Sequence, residues 1–203
     1  MSDECIEYDP EKSKQFLADA GWKDLDGDGI LEKNGKKFEI NLLTSPISEY
    51  SKSAVVIQDQ LKKVGIKVDI EILEFGAVSA KVQSGDFDMH LAAIGNLAGG
   101  DLLTKLTDPK TMGMINRAFY ENPEVAELLL KATASINIKE YKEYLKKAQN
   151  IVLEDLPYVP LITAMNSMMA NLRVGGLDNL YGEYPHCRLL HGHVIALEAY
   201  LKK

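Results

Sequence analysis

The 203-residue sequence is poor in the residue patterns that carry covalent chemistry. Its two cysteines, Cys5 and Cys187, stand near opposite ends, which excludes a Cys-x-x-Cys redox or zinc motif and leaves either two separate thiols or one long-range disulfide. Gly-x-Ser-x-Gly, His-Glu-x-x-His, a P-loop and Gly-x-Gly-x-x-Gly are all missing, so the common hydrolase, zinc-protease, nucleotide-hydrolysing and dinucleotide enzymes have no support. The four histidines have no nucleophile partner visible in sequence. Long apolar runs are missing too. Nothing approaches the roughly 18 consecutive apolar residues of a membrane span, and no basic start followed by an apolar core reads as a signal peptide. Clustered positive charge is also lacking: 30 acidic against 23 basic residues leave a net charge of -7, which repels a phosphate backbone and argues against nucleic acid as a partner.

What is present suits one large domain. A hydrophobic content of 46% is enough to bury a sizeable core at this length. Asp9 reads as an N-cap with Pro10 at the first helical position, Phe16, Leu17 and Ala20 share a face, and Gly21 takes the left-handed terminus. Period-two alternation predicts strands over residues 37–44 and 66–73. Between them Ser48 can cap a helix carrying Ala54, Ile57, Leu61 and Val64, stopped by Gly65. A short helix over 77–84, closed by Gly85, leads to residues 89–94, whose near-continuous apolar character predicts the central strand. Strand and helix alternating in this way demand crossover connections, hence an α/β fold with a mostly parallel sheet and helices on its faces.

Residues 95–120 have no clear period and are expected to form irregular, ligand-facing loops. Asn122 with Pro123 opens a helix striped by Val125, Leu128, Leu129 and Ala132. Asn137 and Glu140 resemble a capping box before a longer helix lined by Tyr141, Leu145, Ala148 and Val152. These two helices are expected to pair. Short strands are predicted over 158–165 and 167–172, and a loop-like tail after Arg173.

Several constellations could bind a ligand. Asp24, Asp26, Asp28, Gly29, Ile30 and Glu32 match the first, third, fifth, sixth, seventh and ninth positions of a calcium loop, but Gly35 stands where the bidentate glutamate belongs. A weak cation site through Asp24, Asp26, Asp28 and Glu32 is one reading; a solvated turn is the better one, because Asn34-Gly35 is a strong two-residue hairpin signal. His186, Cys187, His191 and His193 gather nickel- or zinc-type ligands, with ordinary loop histidines as the plainer reading. Met165, Met168 and Met169 suit either core filling or an adaptable surface. Gly99, Gly100 and Asp101 follow the 89–94 strand at the end where open α/β sheets place ligands, and Asn96, Asn116 and Tyr120 come from the same stretch.

Six pieces, in order, carry a resemblance. They are Tyr8-Asp9-Pro10-Glu11-Lys12-Ser13 through Ala20-Gly21-Trp22, the acidic loop from Asp24 to Glu32, Leu61-Lys62-Lys63-Val64-Gly65-Ile66-Lys67-Val68, Ser84-Gly85-Asp86-Phe87-Asp88-Met89, Tyr120-Glu121-Asn122-Pro123-Glu124-Val125, and Glu154-Asp155-Leu156-Pro157-Tyr158-Val159-Pro160-Leu161. The chain resembles the family 5 solute-binding proteins, the extracytoplasmic oligopeptide, dipeptide and nickel receptors of ABC importers. Those proteins are longer and two-lobed, and these landmarks belong to their later half. The resemblance implies a periplasmic-binding-protein-like lobe over residues 1–173 and a tail, 174–203, that returns to a first lobe. It implies no cofactor and no catalysis, a small solute such as a peptide as ligand, and an ABC permease as partner. It also implies an extracytoplasmic location, with export signal and lipid anchor outside this chain. Asp101 would pair with a peptide's amino terminus, although Gly95-Asn96-Leu97-Ala98-Gly99-Gly100-Asp101 replaces the family's tryptophan and Asp-Tyr-x-x-Pro pattern. The alternative is a free-standing small-ligand or metal-binding module built on the C-terminal histidines.

Overall fold

Strand β3 (Glu39–Thr44) organises the sheet, because apolar residues stand on both of its faces. Leu42 and Leu43 are adjacent, point to opposite sides, and are both fully buried. Parallel ladders flank β3: β4 (Lys67–Ile72) pairs along its whole length, from Glu39↔Lys67 to Thr44↔Ile72, and β5 (Met89–Leu91) pairs from Leu42↔Met89 to Thr44↔Leu91. The order is therefore β4-β3-β5. The structure is a computed structural model that describes residues 8–93, 100–162, 173–175 and 200–201.

Parallel neighbours require crossovers, and helices supply them. Helix α2 (Ser48–Lys62) joins β3 to β4 and covers one face, where Leu42, Ala54, Val64, Ile66 and Val68 form a core joined by Leu17 of α1 (Pro10–Asp19). Helix α3 (Phe75–Ser84) joins β4 to β5 and covers the other, with Leu43 against Val78 and Val82. The α/β fold with a parallel sheet and helices on its faces is as expected. Gly65 and Gly85, at φ +85° and +74°, end α2 and α3 in the left-handed conformation.

A hairpin precedes the sheet. Strands β1 (Glu32–Lys33) and β2 (Lys36–Lys37) pair antiparallel around Asn34 and Gly35, both at positive φ, as the Asn-Gly signal predicts. Beyond β5, α4 (Gly100–Thr107) and a short 3₁₀ turn (Pro109–Thr111) lead to the paired helices α5 (Pro123–Ala134) and α6 (Ile138–Asp155). Asn122 caps α5 by accepting from the backbone N–H of Glu124 and Val125, and Val125, Leu129 and Ala148 are buried between the pair.

Six expectations need correction. The central strand is β3; residues 89–91 form an outer strand among the described residues, and their apolar character reflects packing on both faces without a second ladder. The expected strand over 37–44 breaks at Phe38, because β2 pairs antiparallel with β1 while β3 pairs parallel with β4. Ser48 is the first helical residue and Ile47 the N-cap, with no side-chain cap. Phe16 stays exposed, with Lys12 over its ring, so only Leu17 of the proposed α1 face packs inward. Glu140 accepts from Ser135 Oγ at 3.0 Å instead of closing a capping box, while Asn137 accepts from Lys139 N–H. Residues 100–107, expected to be irregular, are helical, with Leu102, Leu103 and Leu106 at helical spacing.

By contact the chain divides into two compact units: Met1–Ile94 with Gly99–Pro157, and Gly95–Ala98 with Tyr158–Lys203. In the second, residues 158–162 carry no strand, since Pro160 has no N–H to give a ladder. Strands β6 (Val174–Gly175) and β7 (Tyr200–Leu201) pair antiparallel, where a loop-like tail was expected. The predicted 167–172 strand, the three methionines, and the histidines and cysteines named above lie outside the described residues, except His90.

His90 stands beside Leu43 on the α3 face, its ring edge-on to Phe87 at 5.8 Å. Burial, and then the nearby positive charge of Arg117, push its imidazole down to about 4 from an ordinary 6.5. The unfolded chain therefore takes up this proton first as pH falls, so stability declines between about pH 6.5 and about pH 4. Urea denaturation across that window is expected to show this slope in the parent and a flatter one in His90→Gln.

Candidate functional site

In a parallel sheet the strands' carboxyl ends form one rim, where the following helices begin. Here that rim carries the ends of β3, β4 and β5 and the first turns of α2 and α3. Thr44, fully buried, donates its hydroxyl to Leu91 O at 2.9 Å, and Tyr50 in the first turn of α2 accepts from Ala93 N–H at 3.1 Å. Neither α2 nor α3 has a side-chain cap. Around these polar backbone ends stand three exposed apolar residues, Ile47 (46% exposed), Ile72 (46%) and Phe75 (76%). An aromatic ring so exposed at a helix start leaves most of its apolar surface uncovered and offers it to something else. Sequence reasoning missed these three, although Glu74-Phe75 directly after a strand was a legible signal.

The sequence-derived candidates divide. Gly100 and Asp101 form the first turn of α4, while Asn96 and Gly99 lie outside the described residues. Asn116 and Tyr120 are placed elsewhere, in the segment that packs on the C-terminal end of α3: Gly113 lies so close to Gln83 that a Cβ would meet its carbonyl oxygen at 2.9 Å, and Phe119 packs on Gly85. That end of α3 belongs to the sheet's amino rim. Asn116 is fully buried, donating to Tyr120 O (2.7 Å) and Asp108 O (3.3 Å) and accepting from Tyr120 N–H (3.0 Å). The Tyr120 hydroxyl donates to Asp155 Oδ2 at 2.5 Å. Burial, then this bond, push the phenol up to about 12, and bonds from Tyr120 and Asn122 hold Asp155 below the usual carboxylate range.

The acidic loop is organised by its own chain. Ligand atoms of Asp24, Asp26 and Asp28 lie within 4.8 Å of one another. Asp24 accepts from Gly27 and Gly29 N–H, Asp26 from Asp28 N–H, and Asp28 from Ile30 N–H. The hairpin register sets Lys37 opposite Glu32, and its ammonium reaches Asp28, Asp26 at 3.1 Å and Glu32 at 3.9 Å. Lys37 thus puts a positive charge among the carboxylates that match the calcium pattern. Its own affinity for the proton rises and that of Asp28 falls, each chiefly through their mutual bond.

The family described as bacterial extracellular solute-binding proteins, family 5 (middle), matches residues 2–102. A curated relative, the oligopeptide-binding protein AppA of Bacillus subtilis, is 34% identical over 166 residues, covering 80% of this chain and 31% of the relative. The chain belongs to the family 5 extracellular solute-binding proteins. Solved structures agree with this membership. AppA from Bacillus subtilis in complex with a nonapeptide matches with TM-score 0.73 and 28% identity over 100% of this chain and 40% of that one. The peptide complex of DppA from Helicobacter pylori matches with TM-score 0.71 and 26% identity over 100% of this chain and 36% of that one. This family 5 chain spans about a third of the length of the curated relatives it matches. No helix among its described residues is long and apolar enough to cross a membrane.

For this family member the Lys37 contacts give a direct test. Removing the ammonium leaves like charges facing one another, and added salt screens that repulsion. The melting temperature of Lys37→Met is expected to rise from low to high salt more steeply than that of the parent; parallel salt curves would show that Lys37 does not hold the loop.

Proposed function

We propose that this chain is the ligand-binding lobe of an ABC-importer solute-binding protein for peptides or a similar small solute. Two lobes close on the ligand, and contacts realised only in the closed form shift the population toward the state a permease recognises. The observation that carries the reading is the carboxyl rim, where exposed Phe75, Ile47 and Ile72 surround two helix starts with no side-chain cap. Apolar surface with a few converging backbone donors suits a solute of mixed character. The peptide complexes of the two similar structures support the ligand class.

Within this reading Gly99, Gly100 and Asp101, with Asn96, supply polar contacts to the solute. The chain performs no catalysis: the work is binding and closure. It acts outside the cytoplasm. A free-standing module built on the tail histidines is not favoured, because the relatives are receptors of this family.

Isothermal titration with a mixture of short peptides tests the reading. The chain alone is expected to give weak or no heat, and the same chain joined to the preceding lobe is expected to bind tightly. Replacing Phe75 with Ala in the joined protein should weaken that binding about tenfold, the loss expected for an aromatic contact of roughly 1–1.5 kcal/mol. Equal affinity with and without the preceding lobe would contradict it.

A further inference from the structure

Helix α4 begins with Gly100 and Asp101 and is tied at its far end to a continuous series of side-chain bonds. The carbonyl of Lys105 accepts from Thr111 Oγ1 at 2.7 Å, and the carbonyl of Asp108 accepts from the same hydroxyl at 3.0 Å and from Asn116 Nδ2 at 3.3 Å. Asn116 closes reciprocally on the Tyr120 backbone, and the Tyr120 hydroxyl donates to Asp155, the last residue of α6. Asn122 donates to the same Asp155 oxygen at 3.0 Å while capping α5. Packing runs parallel to the bonds: Leu103 of α4 and the ring of Tyr120 both pack on the cluster of Val125, Leu129 and Ala148.

Two features give this series a direction. Its outer end is a single carboxylate oxygen receiving two donors, of which the Tyr120 hydroxyl belongs to the residue that Asn116 holds and Asn122 to the α5 cap. Just past that junction Leu156 adopts φ +48° and Pro157 ends the first compact unit. The backbone beyond Asp155 thus cannot extend α6, and the helix end depends on side chains for its place.

We propose that Tyr120 and Asp155 are positioning residues: acting through Asn116 and Thr111, they hold α4, and with it the Gly100–Asp101 turn, against the ends of α5 and α6 without contacting ligand themselves. The Tyr120 hydroxyl is committed to Asp155 at the amino-rim side of the unit, so its part in binding is exerted through the placement of α4. This rests on the receptor reading, in which Gly100 and Asp101 face the solute.

Amide hydrogen exchange of the whole chain tests the proposal with Tyr120→Phe, Asp155→Ala and the double variant. The first change removes the hydroxyl donor and the second removes its acceptor. Amides of residues 104–107 are expected to exchange about tenfold faster in each single variant, and those of β3 and β4 to be unchanged. The double variant is expected to be no faster than either single one, because one junction is broken once. Asn122→Ala, which removes the α5 cap but leaves the Tyr120 bond, is expected to accelerate the first turn of α5 and spare residues 104–107. Acceleration spread evenly over the chain, acceleration confined to the end of α6, or additive effects in the double variant would each overturn the positioning role. The readout contains no ligand. A failure here removes the role of Tyr120 and Asp155 and leaves the receptor reading standing, whereas absent peptide binding leaves the exchange result unaltered.

Discussion

Parallel pairing of β3 on both sides is the constraint from which the rest follows. A strand hydrogen-bonded to parallel neighbours cannot be reached by a tight turn, so each neighbour arrives through a helix. Those helices must start where the strands end, which collects the carboxyl ends of β3, β4 and β5 and two helix starts on one rim. The same pairing forces β3 to be apolar on both faces, as Leu42 and Leu43 are. The proposed ligand face and the double-sided core are thus two results of one topology.

The opposite rim serves a different purpose. There Gly113 packs against Gln83, Phe119 against Gly85, and Asn116 pairs with both the N–H and the carbonyl of Tyr120. The acidic loop beside the hairpin shows the same economy, with Lys37 brought into the carboxylate group by its register opposite Glu32. Polar side chains in these places stabilise the fold, and the proposed solute surface is left to Phe75, Ile47, Ile72 and backbone donors.

Much of the fold was legible because local signals agreed with tertiary demands. Asp9, Asn122, Gly65 and Gly85 act at helix ends as their chemistry requires, and Asn34-Gly35 makes its hairpin. Strand order was not legible: the apolar run at 89–91 looks like a central strand, yet centrality is decided by which neighbour pairs with which, and Leu42-Leu43 inside an otherwise alternating strand was the better clue. Helix α4 was passed over because glycines and threonines around it masked a leucine spacing. For the site, Gly100 and Asp101 open helix α4, as residues that follow a strand can. Sequence could not tell that Asn116 and Tyr120 fold back to the other rim, since a polar residue in a loop has the same appearance whether it faces solute or a buried carbonyl.

The central claim is that solute meets this lobe on the carboxyl rim. Photocrosslinking places it most directly: a short peptide bearing a benzophenone side chain is irradiated with the protein comprising both lobes, and the attached residues are mapped by mass spectrometry. Attachment within residues 45–48, 72–77 and 91–93 is the expected result. Attachment centred on residues 85–88 or 113–120, at the amino rim, would contradict it.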